Sequence, residues 1–140
     1  MISIEDPLVT AIFAEDIRLE VNGQVTIVGV FGANLGVEAI PAILAKLVIF
    51  SRIFVAKDNI PKSVLFRLEY PWDEPPTINP ADIDEITKGG GAPFQEENII
   101  GFTMNASFMP FNIRGTGLLR VFFELDGVKY WAGSLGIKKT

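Results

Sequence analysis

Near the end of the chain an Asp-Gly pair, Asp126 and Gly127, separates two runs of alternating apolar residues in the segment 118–137, LLRVFFELDGVKYWAGSLGI. Both central residues of a tight two-residue hairpin need positive φ, which glycine adopts freely and aspartate tolerates, so the pair predicts a β-hairpin. With a two-residue loop, Leu125 faces Val128, Phe123 faces Tyr130 and Val121 faces Ala132; with Leu119 they form one continuous apolar side, expected in the core. The other side sets Glu124 against Lys129, opposite charges, and Phe122 against Trp131, two aromatics. One register therefore satisfies both sides at once. It fixes a β fold class without fixing a chemistry.

Several chemistries are excluded outright. The 140 residues include neither Cys nor His. Disulfides, thiol catalysis, zinc held through Cys or His, and imidazole acid-base catalysis are therefore all out of reach. The serines, lacking a histidine, cannot form a conventional triad. A net charge of -5 argues against attraction to phosphate backbones, so no nucleic acid is expected as a partner. The first residues carry Glu5 and Asp6 and no Lys or Arg before Arg18, the reverse of a signal peptide, and the location expected is cytoplasmic. The apolar stretch 43–56 is interrupted by Lys46, Ser51 and Arg52 and falls short of the roughly 18 uninterrupted apolar residues of a membrane helix. No membrane contact is expected.

Residues 8–14 and 17–21 read as two short strands or one kinked strand, and Asn22-Gly23 joins the second to residues 24–31 as another hairpin. In that hairpin Val21 would face Gln24 and Leu19 would face Thr26, unless a bulge near Gly29 shifts the register. Residues 32–41, with Gly32, Asn34, Gly36 and Pro41, read as a loop crossing the fold. Residues 43–56 are apolar on both parities, which fits an interior strand or a helix buried all round. Residues 57–61 read as a hairpin loop, followed by a half-buried strand with Val64, Phe66, Leu68 and Tyr70 inward. Residues 98–109 form another, with Ile100, Phe102, Met104, Ala106 and Phe108 on the inner parity.

Between these two strands lies a long excursion over residues 71–97. It opens PWDEPPTINP, and prolines lack the amide donor that a central strand requires. Asn79 as N-cap, Pro80 at the first helical position and Asp82 in the first turn predict a short helix through Thr87, ended by Gly89. Gly89, Gly90 and Gly91 read as mobile. The fold class expected is all-β: a single domain over residues 1–140, an antiparallel β-sandwich or partly open barrel of seven to eight strands, with one short helix in the long loop.

The candidate sites are aromatic. Phe122 and Trp131 share a side with Arg120, Glu124 and Lys129, which reads either as a surface covered by the long loop or the N-terminal segment or as a binding patch or subunit interface. Trp72, beside prolines and acids, reads either as packing onto the sheet or as a recognition element. Asp82, Asp84 and Glu85 offer oxygen ligands, but carboxylates two apart on a helix do not converge, and no metal site is expected. Glu96 and Glu97 alternate faces and make no catalytic pair. Gly89 to Gly91 are followed by no Gly-Lys-Ser or Gly-Lys-Thr and form no phosphate loop.

The pattern from Phe13 to Phe31, with Asp16, then Asn22 and Gly23, then Gly29 to Phe31, together with the late Asp126-Gly127 hairpin, resembles a family of small uncharacterised β-sandwich proteins of bacteria and their phages. The resemblance covers the two ends of the chain and implies a fold and an accessory role, with no activity. The function expected is that of a non-enzymatic structural or protein-interaction domain, acting as a homo-oligomer or an adaptor, with Phe122, Trp131, Trp72 and Arg120 at the contact. The alternative is a small-ligand or carbohydrate-binding module that uses the same aromatics for stacking. Neither reading needs a catalytic residue or a cofactor; a third and weakest reading, an enzyme using carboxylates alone, would need two buried carboxyl groups facing each other in a pocket.

Overall fold

A computed structural model describes residues 5–82 and 98–140. Among these residues there are eleven β-strands and no helix: β1 (Leu8–Leu19), β2 (Val25–Val30), β3 (Asn34–Val37), β4 (Ala42–Leu44), β5 (Leu47–Ala56), β6 (Val64–Glu69), β7 (Thr77–Ala81), β8 (Ile99–Phe108), β9 (Phe111–Ile113), β10 (Gly117–Leu125) and β11 (Val128–Lys139). They make a four-stranded sheet in the order β2-β1-β5-β8, a five-stranded sheet in the order β3-β11-β10-β6-β7, and a β4-β9 pair. Only β3 runs parallel to its neighbour, β11. The sheets do not close into a barrel. Apolar residues from both large sheets meet in one core, so the fold is all-β with its strands layered about a common interior.

Strand β5 is strand rather than helix, and its place explains its apolarity. It lies between β1 and β8, with Leu47, Ile49, Ile53 and Val55 buried on its inner parity. Opposite them on β8 stand Phe108, Ala106, Phe102 and Ile100, the parity that the alternation predicted. Strand β6 buries Val64, Phe66 and Leu68 as expected, whereas Tyr70 is only half-buried and bonds Thr77 through its hydroxyl at 2.6 Å.

The closing hairpin forms at Asp126 (φ 50°) and Gly127 (φ 82°), in the register expected as far as Phe122 opposite Trp131. There a bulge intervenes, and Val121 faces Gly133 instead of Ala132. A bulge inserts one residue and reverses the parity of the strand beyond it. That is why Leu135 and Ile137, beyond the bulge, are buried. Val128, beside the turn and before the bulge, keeps the expected register but is 53% exposed. Gly133 is needed where it stands: a Cβ there would come within 2.7 Å of the Ala11 carbonyl oxygen, because the bulged strand presses against β1.

Other expectations are corrected. The Asn22-Gly23 turn is a longer loop, not a two-residue one. Glu20 accepts from the Gly23 amide and Gly23 takes φ 85°, so Leu19 pairs with Val25 and not with Thr26. Of the two alternatives for residues 8–21 the single strand holds, as β1, and the segment 32–41, expected as a loop, contains β3. Residues 57–61 carry the chain from one large sheet to the other and are no hairpin loop. Asn79 and Pro80 do not start a helix: they lie in β7, opposite Phe66 and Leu65. Pairing with β6 outweighs the local capping signal there, and proline is tolerated because β7 is an edge strand. The predicted helix body, the three glycines, Asp84, Glu85, Glu96 and Glu97 lie outside the described residues.

Candidate functional site

Two features of the molecule could meet another molecule. The first is the outer side of the five-stranded sheet. Because alternate residues share a side, pairing aligns Ile78, Arg67, Phe122 and Trp131 in one row across β7, β6, β10 and β11. Trp131 is 62% and Ile78 is 44% exposed, and Phe122 is half-buried between its neighbours. The Trp131 indole donates to the Ser134 hydroxyl at 2.9 Å, which holds the ring over the bulge.

Charges frame this row. Glu69 accepts from Lys129 Nζ and from Arg67 Nε, each at 2.7 Å. These hydrogen bonds, the one from Lys129 first, hold its carboxyl below the ordinary carboxylate value. Lys129 therefore bonds β6 rather than the Glu124 opposite it, and its ammonium lies 4.0 Å from the centre of the Phe122 ring. Arg120 and Glu124, two residues either side of Phe122 on the same side of β10, make no ion pair among the described residues. The structure thus brings Phe122, Trp131 and Arg120 together. Trp72 is elsewhere: half-buried, it packs against Tyr70 and Phe111 at ring-centre distances of 5.3 and 6.3 Å and donates to Glu74 at 2.8 Å.

The second feature is a cavity of about 240 Å³ lined by residues of β5 and β8 from one sheet and of β6 and β7 from the other. Its lining includes Ser51, Phe66, Asn79, Met104, Ala106 and Phe108. Ser51 stands on the inner parity of β5 between Ile49 and Ile53, flanked by Ala11 and Met104 on the neighbouring strands. It is 1% exposed, and its hydroxyl has no hydrogen-bond partner among the described residues. A buried hydroxyl without a partner costs about 1–3 kcal/mol, and among the described residues this is the one buried side-chain polar atom left in that state. In the sequence Ser51 reads only as a break in an apolar run. The available signal was its parity: a lone hydroxyl on the core-facing side of an interior strand.

A hollow of about 200 Å³ near the closing turn is lined in part by Glu5, Asp6 and Asp126. Asp126 is occupied there: its Oδ1 accepts from the Lys62 and Ser63 amides at 2.8 and 3.0 Å. No group of three acidic side chains among the described residues is placed to hold a metal ion. Set beside known proteins, the chain matches no family model and no curated sequence.

Proposed function

We propose that this protein is a non-enzymatic contact domain, a β-sandwich that self-associates through the outer side of its five-stranded sheet. The observation that carries the reading is the order Arg120, Phe122, Glu124 along β10: a cation, an aromatic ring and an anion, all on one side, with the two charges unpaired by the described residues. An isologous dimer uses the same patch twice, so the patch must complement itself. A two-fold axis lying between two such faces, across β10 at Phe122, sets Arg120 of each copy against Glu124 of the other. The same axis lays Phe122 on Phe122, Trp131 on Trp131 and Arg67 on Arg67, the last neutralised by its own Glu69, and removes the exposed Trp131 ring from water.

Light scattering on the full chain after size exclusion tests this through charge exchange. The wild type is expected to be a dimer at about 100 µM. Arg120→Glu or Glu124→Arg alone places like charges across the axis and is expected to weaken association at least about tenfold, while the two together restore it. A monomeric wild type, or a double variant no better than either single one, overturns the reading.

A further inference from the structure

We infer that the cavity between β7 and β8 is a binding site for a small neutral molecule with an apolar body and one hydrogen-bonding group, the latter received by Ser51. This goes beyond the self-association above, uses none of its residues and stands or falls separately.

Three observations define the ligand class. The first is the hydroxyl of Ser51, which is buried on the inner side of β5, lines the cavity and is unpartnered among the described residues. A polar atom so placed is satisfied by whatever enters the cavity with a donor or acceptor at its deep end. The second is the lining. Phe66, Met104, Ala106 and Phe108 supply apolar walls and Asn79 a neutral polar group, and among the described lining residues there is no Asp, Glu, Lys or Arg. A charged ligand would leave its solvation without gaining a counter-charge, so an uncharged one is selected. The third is size: about 240 Å³ accommodates on the order of ten non-hydrogen atoms, below the volume usual for drug-sized ligands.

The strand pattern supports the same conclusion. Along β8 the inner residues Ile100 and Phe102 are buried, whereas Met104, Ala106 and Phe108, on the same inner parity, are only partly so. The inner side of β8 is thus buried at one end and half-buried at the other, where Ser51 lies opposite Met104. Methionine is suited to line such a wall, since its unbranched thioether adapts to the shape presented to it.

Phenol and toluene, alike in size and differing in that phenol has a hydroxyl where toluene has a methyl, are the probes. Each is titrated into the full-length protein, wild type and Ser51→Ala, and followed by backbone amide shifts. For the wild type, saturable shifts are expected at Met104, Ala106 and Asn79, with phenol binding about fivefold more tightly than toluene, the increment of one hydrogen bond. Ser51→Ala is expected to abolish that preference while retaining toluene binding, which also shows that the variant is folded. Shifts that fail to localise to the cavity, no saturation with either probe, or a phenol preference that survives in Ser51→Ala would each overturn the inference.

Discussion

Asp126 shows how much one side chain can fix. Its positive φ closes the last hairpin, its amide donates to the Ser63 carbonyl at 3.0 Å, and its carboxylate accepts from the Lys62 and Ser63 amides. The residue that turns the chain therefore also ties the hairpin tip to the start of β6, in the same sheet. Asp126→Ala removes both accepted bonds and leaves an alanine at positive φ, for an expected loss of about 2 kcal/mol in urea unfolding. Asp126→Asn keeps an acceptor oxygen and a side chain tolerant of that conformation, and is expected to lose less than about half as much. Equal losses would mean that the two amide bonds contribute little. The turn was legible in the sequence because Asp-Gly is a local signal. The bonds to residues 62 and 63 were not, since nothing local brings together positions so far apart in the chain. The same limit applies to Ser51: its inner parity could be read along β5, but the cavity it lines is made by Asn79 and Met104 on strands that the sequence does not show to be adjacent.

At the scale of strands, what could be read was periodicity. The alternations of β6 and β8 are consequences of one-sided burial, and the structure places them accordingly. The apolar run 43–56 is not one strand covered on both sides: its start lies in β4, and on the outer parity of β5 Val48 is buried, Phe50 and Phe54 are half-buried and Arg52 is exposed. What failed was partner choice. Asn79 and Pro80 carry a helix-start pattern, but β6 needed a neighbour on its free edge, and the ladder with Leu65 and Phe66 took them. The side chains that lace β6, β10 and β11 together are likewise a product of that choice, and Glu69 is their centre. Its folded carboxyl is held below the ordinary 4.5 by Lys129 and Arg67. The stability it contributes is therefore fully present above the unfolded value and is lost as pH falls through the lowered folded value. Urea midpoints taken from about pH 7 to about pH 3 should decline for the wild type below that ordinary value. Glu69→Gln, which cannot titrate, should be less stable at neutral pH and decline less steeply over the acid window. Parallel curves for the two proteins would show that the Lys129 and Arg67 contacts do not favour the charged form.

For the molecule as a whole, the question is whether two sheets and a small β4-β9 pair behave as one body. The sequence read as a single all-β domain but left the strand order open, because the order is set by which faces meet, and in this chain those faces are distant in sequence: β1 pairs with β5, and β3 with β11. The structure answers with a shared interior. Phe123, Leu119 and Leu135 from one sheet and Ile49, Ile53 and Leu47 from the other are fully buried in a single core, which Phe111 and Ile113 of β9 also enter. Full burial of each such side chain is worth about 1.5–3 kcal/mol, so no sheet can leave without exposing the other's apolar face. All three parts should then unfold together. The two tryptophans report from different places, Trp131 from the outside of the five-stranded sheet and Trp72 from the aromatic cluster over β9. In the single-tryptophan proteins Trp131→Phe and Trp72→Phe, denaturation followed by fluorescence is expected to coincide with denaturation followed by far-ultraviolet circular dichroism, at one protein concentration. Each variant serves as its own reference, so a general loss of stability from either substitution shifts both probes alike. A Trp72 signal that changes before the circular dichroism would instead show that the β4-β9 pair detaches while the two sheets stay closed, with Phe111 and Ile113 contributing less to the common core than their burial implies.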